Sequence, residues 1–84
     1  MVKLLYFARL RELLGTAGES IDLPAGVATV GALRNHLINR GGAWADALAD
    51  GRAVRIAVNQ DMAAAATAIQ RGDEIAFFPP VTGG

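Results

Sequence analysis

The 84-residue chain is 52% hydrophobic and 19% charged, with eight basic residues against eight acidic ones. This composition argues against disorder, the length suits a single domain, and balanced charge without a basic run argues against nucleic acid or an anionic membrane as partner. With no cysteine and one histidine, the sequence excludes disulfides, thiolate metal sites, a cysteine nucleophile and a metal cluster built on histidines.

There is no run of about 18 apolar residues and no signal-peptide pattern, so a cytoplasmic protein is expected. No GxSxG, HExxH, P-loop or GxGxxG motif occurs, and ordinary side-chain catalysis is the least expected chemistry. No resident metal or cofactor is expected.

Val2 to Ala8 is β-rich and apolar on both faces, and reads as a mostly buried first strand. Arg9 to Leu14 favours helix, with Leu10, Leu13 and Leu14 at helical spacing. Gly15 to Gly18 ends it in a turn. Ser20-Ile21-Asp22-Leu23 alternates, as a half-buried strand with Ile21 and Leu23 inward, pairing antiparallel with the first. Pro24-Ala25-Gly26 makes a second turn.

Thr29 is an N-cap for a main helix reaching about Asn39, with Val30, Leu33 and Leu37 on one face. His36 lies about a quarter-turn off that stripe, as a flank residue at the solvent boundary. Gly41 and Gly42 stop the helix. Ala43 to Ala49 suits a short helical turn in which Trp44 and Leu48 are spaced to pack together, with Trp44 a lid over the main helix. Val54 to Val58 reads as a third strand, turned by Asn59-Gln60. Met62 to Ala68 is Ala-rich: propensity favours helix, but about seven residues are too few for an independent one, and an irregular strand or connection suits it equally. Arg71-Gly72-Asp73 is a turn into a last strand, Glu74 to Phe78, with Ile75 and Phe77 on one face and Ala76 and Phe78 on the other.

One helix stripe against one mixed sheet predicts an α+β two-layer roll over residues 1–84. The first and last strands read as the most buried, which suits a parallel pair in the centre. Phe7 and Phe78 then share the face away from the helix. Left uncovered, they form an apolar patch of the kind that marks a protein interface; a covering loop is the alternative.

The chain ends Phe78-Pro79-Pro80-Val81-Thr82-Gly83-Gly84. Pro79 and Pro80 donate no backbone hydrogen bond, so sheet pairing stops there. Gly83 and Gly84 allow close approach to another surface. A strand, a stiff exit and a terminus without side chains read as a tail, residues 79–84, fit to thread a narrow channel.

Three stretches carry a resemblance: Leu5-Tyr6-Phe7-Ala8 with Leu10-Arg11-Glu12, Val58-Asn59-Gln60, and Gly72-Asp73-Glu74-Ile75-Ala76-Phe77-Phe78-Pro79-Pro80-Val81-Thr82-Gly83-Gly84. Over its whole length the chain resembles the small subunits of molybdopterin synthase, ubiquitin-like sulfur carriers with the β-grasp fold. Thiazole-synthesis carriers and tRNA-thiolation modifiers also end in Gly-Gly but look less similar. A ubiquitin-like protein modifier is a further alternative. The Ala-rich 62–68 stretch departs from the family's more varied segment.

The resemblance implies that a ubiquitin-activating-like adenylyltransferase uses ATP to adenylate the Gly84 carboxylate. A sulfur donor, such as a cysteine desulfurase or rhodanese system, then makes a thiocarboxylate. The carrier is non-catalytic alone. Its tail, through Pro79, Pro80, Val81, Thr82 and Gly83, enters the large synthase subunit and gives sulfur to cyclic pyranopterin monophosphate. The tail is expected to be mobile when free and ordered when inserted. Phe7 and Phe78 are candidates for docking, and Arg11 for pairing with an acidic group on a partner. The family forms an elongated heterotetramer, with small subunits flanking a large-subunit dimer.

Overall fold

The computed structural model describes residues 1–49 and 51–80. In chain order the elements are β1 (Val2–Tyr6), α1 (Ala8–Leu14), β2 (Gly18–Ile21), α2 (Val30–Ile38), α3 (Gly42–Leu48), β3 (Arg55–Val58), β4 (Asp61–Met62) and β5 (Glu74–Phe78). The strands form one mixed sheet in the order β2-β1-β5-β3-β4. β1 and β5 are parallel at its centre, with Leu4 opposite Ile75 and Tyr6 opposite Phe77. β2 runs antiparallel to β1, and β3 antiparallel to β5.

Alternation decides which side chains meet the helices. Val2, Leu4 and Tyr6 of β1, Ile75 and Phe77 of β5, and Ile56 of β3 join Leu10 of α1, Val30, Leu33 and Leu37 of α2, Ala47 and Leu48 of α3, and Ile69 in one core. Fully burying each larger apolar side chain contributes about 1.5–3 kcal/mol. Lys3 is exposed and Leu5 half-buried, so β1 is buried on one face rather than on both as expected.

α2 begins where Thr29 predicts. The Thr29 hydroxyl accepts from the Ala32 amide at 3.2 Å, and the Thr29 carbonyl from Leu33 at 3.0 Å. The amides of Val30 and Gly31 donate to the carbonyls of Thr67 and Ala65, at 3.0 and 2.8 Å. The amides of Val30, Gly31 and Ala32, which the helix start leaves without an intrahelical partner, are thus satisfied, and the Leu33–Thr29 bond is the first of the helix itself. This explains the Ala-rich stretch, which forms no helix: its carbonyls are turned toward α2. A Cβ on Gly31 would lie 3.2 Å from the Ala65 carbonyl oxygen, so the approach is close.

Two further expectations are corrected. β2 starts at Gly18, not Ser20, and Leu23 lies beyond it, partly buried against the core. The Thr16 hydroxyl closes the preceding turn by donating to the Gly18 carbonyl at 2.9 Å, and Gly18 pairs with Leu5 where a Cβ would meet the Leu4 carbonyl oxygen at 2.5 Å. Leu13 is exposed rather than on the buried stripe, because α1 has seven residues and turns Leu10 into the core. Trp44 packs against the core as expected of a lid and also meets Tyr6 of β1 edge-on, with ring centroids 5.3 Å apart.

The Asn59-Gln60 turn takes positive φ at both residues, 51° and 72°, as a two-residue hairpin between β3 and β4 requires. Asn59 also clasps β5. Its side chain donates to Asp73 and accepts from the Glu74 amide, both at 3.0 Å.

Candidate functional site: the root of the tail

β5 delivers the chain out of the middle of the sheet. Phe77 is its last core residue, fully buried. Phe78 follows on the opposite face, half-buried, and is the register partner of Arg55 at the start of β3. Pro79 and Pro80 are half-buried and line separate clefts. Arg9, Leu10 and Arg52 share the cleft of Pro79. Arg34, Arg55 and Met62 share that of Pro80.

Phe7 stands beside this exit. Its amide donates to the Phe77 carbonyl at 3.1 Å, and its backbone is extended, so its side chain points opposite to that of Tyr6. It is 47% exposed. The next residue, Ala8, turns the chain into α1 at φ 52°, a left-handed conformation that costs an alanine about 1 kcal/mol. Alternation places Leu5 and Phe7 on the open face of the sheet with Ala76 and Phe78 of β5, Ala57 of β3 and Met62 of β4. The structure therefore brings Phe7 and Phe78 to one face and one end. Ala76, expected beside Phe78, and Leu5, Ala57 and Met62, which were not expected there, extend the apolar face. The alternation of Ala76 and Phe78 was visible in the sequence; the facing of Met62 required the β3–β4 register.

Arg11 lies one helical turn beyond Phe7 and is exposed. The one ion pair among the described residues is elsewhere, between Arg40 and Glu19 at 2.9 Å. Val81, Thr82, Gly83 and Gly84, the remaining site candidates, lie outside the described residues. Among the described residues no group of histidines and carboxylates is placed to hold a metal, and no helix is long and apolar enough to cross a membrane.

Behind the sheet a polar ring ties β1, β2, the α2–α3 connection and α3. The Tyr6 hydroxyl donates to Glu19 at 3.1 Å, Arg40 holds both Glu19 oxygens at 2.9 and 3.0 Å, and the Arg40 guanidinium lies 4.5 Å from the Trp44 ring centroid. Burial, then the Glu19 charge, push the Tyr6 phenol well above its ordinary range. The Arg40 hydrogen bonds hold the Glu19 carboxyl below its ordinary value. This ring fixes the end of β1 from which Phe7 projects.

Residues 4–84 match the ThiS family. The chain is 46% identical over 84 residues, the full length of both proteins, to the molybdopterin synthase sulfur carrier subunit of Haemophilus influenzae. It shows the same identity and coverage with that of Escherichia coli. Its fold matches the crystal structure of small archaeal modifier protein 1 from H. volcanii with TM-score 0.76 and 30% identity, over 95% of this chain and 97% of the other. The chain belongs to the ThiS family, its full-length relatives are molybdopterin synthase sulfur carrier subunits, and its sheet and helices form the β-grasp of the ubiquitin-like proteins.

Proposed function

We propose that this protein is the sulfur carrier of molybdopterin synthase, a cytoplasmic single domain whose residues 79–84 form the reactive tail. The observation that carries the reading is the full-length 46% identity to such carriers. It is supported by a central strand that launches the chain between two proline-lined clefts, next to the exposed Phe7.

The chemistry follows from the terminus. A carboxylate is a poor electrophile until one oxygen becomes a good leaving group. An adenylyltransferase supplies that group: the Gly84 carboxylate attacks the α-phosphate of ATP, and pyrophosphate leaves. Sulfide then attacks the acyl carbon and AMP leaves, giving the thiocarboxylate. If a cysteine desulfurase or rhodanese presents the sulfur as a persulfide, the acyl disulfide first formed is cleaved by a thiol. The loaded tail enters the large subunit, where its sulfur attacks cyclic pyranopterin monophosphate and hydrolysis of the acyl link restores the carboxylate. A dithiolene takes a pair of sulfurs, so each product consumes a pair of loaded carriers. Gly83 and Gly84 give clearance in the channel, and Pro79, Pro80, Val81 and Thr82 set its approach. Phe7 and Phe78 dock on the large subunit, Arg11 pairs with an acidic group there, and the assembly is a heterotetramer. The carrier has no catalytic group of its own.

The test is the intact mass of the protein after incubation with the activating enzyme, ATP and a sulfur source. Replacement of one oxygen by sulfur, mapped to the terminal peptide and shifted to higher mass by subsequent treatment with a thiol-selective alkylator, is expected. A terminus that stays a carboxylate overturns the reading. The fold shared with a small archaeal modifier protein favours one second reading, a modifier joined through Gly84 to lysines. It predicts lysine-linked conjugates of higher mass in cell extract.

A further inference from the structure

The chain is electrically neutral, with eight basic and eight acidic residues, but the fold gathers four of its arginines at one end of the sheet. At the end where β5 leaves the sheet lie Arg9 in the first turn of α1, Arg52 beyond α3 and Arg55 at the start of β3. Arg9 and Arg52 line the cleft holding Pro79, and Arg34 and Arg55 that holding Pro80; no described carboxylate lines either. The Arg34 guanidinium donates to the carbonyls of Leu48 and Ala49 at 2.8 Å and of Arg52 at 3.0 Å, so its charge is fixed in place at this end. At the opposite end Asp73 precedes β5, Glu74 opens it, Asp61 follows the β3–β4 turn and Asp22 follows β2, interspersed with Lys3, opposite Glu74, and Arg71. The rise from Glu74 to Phe78 is roughly 13 Å, which exceeds the Debye length of about 8 Å at physiological salt. A partner at the tail therefore meets four arginines, with Asp46 beside Arg52 the acidic residue among them, and the acidic residues of the far end are screened from it.

We infer that Arg9, Arg52 and Arg55 form a collar at the root of the tail that recognises an acidic rim around the entrance of the protein receiving it. The inference rests on the carrier reading and gives the partner's surface chemistry. A neutral protein gains no attraction from net charge, so the collar acts through orientation. An acidic rim attracts the root and repels the far pole, and encounters arrive tail first. The apolar patch of Phe7 and Phe78 then supplies contact after arrival. Charges placed on a rim act on the association rate and are weakened by salt, whereas buried apolar contacts act on dissociation.

The experiment measures association of the full-length protein with the large subunit of the synthase by stopped flow, between about 20 mM and about 500 mM sodium chloride. The wild-type rate is expected to fall about tenfold across that range. Arg9→Gln/Arg55→Gln is expected to associate several-fold more slowly at low salt and to flatten the salt dependence, with dissociation unchanged. Both side chains are exposed, and a melting curve checks that the fold is kept. Arg71→Glu makes the same change in net charge at the far pole and is expected to leave the rate at or above wild type.

A wild-type rate indifferent to salt overturns the collar alone. Equal slowing by Arg71→Glu overturns it too, since net charge would then suffice. If the double variant associates normally but is adenylated slowly, the arginines serve a nucleotide phosphate and the collar is again overturned. Failure of the wild-type protein to bind the large subunit at any salt overturns the carrier reading together with the collar.

Discussion

The Phe7 amide donates to the Phe77 carbonyl at 3.1 Å, one position past the last Tyr6–Phe77 pair of the β1–β5 ladder. The start of α1 and the exit of the chain are thereby joined at one point. The three phenylalanines here have different duties: Phe77 is fully buried, Phe78 is half-buried on the open face and Phe7 is 47% exposed. Phe7→Ala and Phe78→Ala are expected to weaken binding to the large subunit by about 2 kcal/mol, roughly thirtyfold in Kd, and to cost less than that in stability. Phe77→Ala is expected to cost about 3–5 kcal/mol of stability. Calorimetric binding beside denaturant unfolding separates the two effects. Undiminished binding by Phe78→Ala with a large drop in melting temperature would make Phe78 a core residue instead.

Removal of Gly84, or Gly84→Ala, is expected to abolish sulfur transfer in a reconstituted synthase assay and to leave the melting temperature unchanged. The core closes at Phe77, before the tail begins. Wild-type turnover by the truncated protein would refute the role given to the terminus.

Gly18 is required by space rather than by backbone angle. A Cβ there would sit 2.5 Å from the Leu4 carbonyl oxygen. Gly18→Ala must push β2 away from β1, and a loss of about 1–3 kcal/mol is expected in denaturant unfolding. Hydrogen exchange should speed up first at the amides of the β1–β2 ladder. Gly51→Ala, where nothing lies within 4 Å of the added carbon, is the matched control and should cost under about 0.5 kcal/mol.

Tyr6 is the one tyrosine of the chain, so its ionisation can be followed by absorbance. Burial and the Glu19 charge raise its pKa above the ordinary 10.0. The folded state therefore keeps a proton that the unfolded state loses, and stability falls as pH rises above about 10. The phenolate signal is expected to appear late and together with loss of the near-ultraviolet circular dichroism of Trp44. Glu19 works in the other direction. Its pKa is lowered by Arg40, so its contribution is present above the ordinary value of 4.5 and is lost as pH falls through the lower folded value. Its side chain is 26% exposed, which limits the effect to under about 1 kcal/mol. Glu19→Gln should flatten the acid limb of the stability curve.

Some of this architecture is legible because the physics is local. Thr29 offers its hydroxyl to an amide three residues on, Val30, Leu33 and Leu37 repeat at the period of a helix, and Pro79-Pro80 cannot extend a ladder. The apolar first and last strands also announced their central, parallel pairing. The outward facing of Phe78 followed from the alternation of β5.

Other features depend on partners distant in the chain. β2 begins at Gly18 because the Leu4 carbonyl lies beneath it, which nothing within β2 itself reveals. The alanines of 62–68 have the propensity of a helix, yet Ala65 and Thr67 turn their carbonyls to the amides that α2 leaves unpaired. Trp44 lies over Tyr6 through a contact between residues far apart in the chain. By itself the sequence determined the strand and helix order, the main helix's start and stripe, and the side-chain-free terminus, since each follows from dihedral preference or periodicity within a few residues. The tertiary structure decided the strand registers, the clefts beside Pro79 and Pro80, and the gathering of arginines from α1, the α3–β3 connection and β3 at the tail's root. Those arise only when chain closure brings remote segments to one end of the sheet.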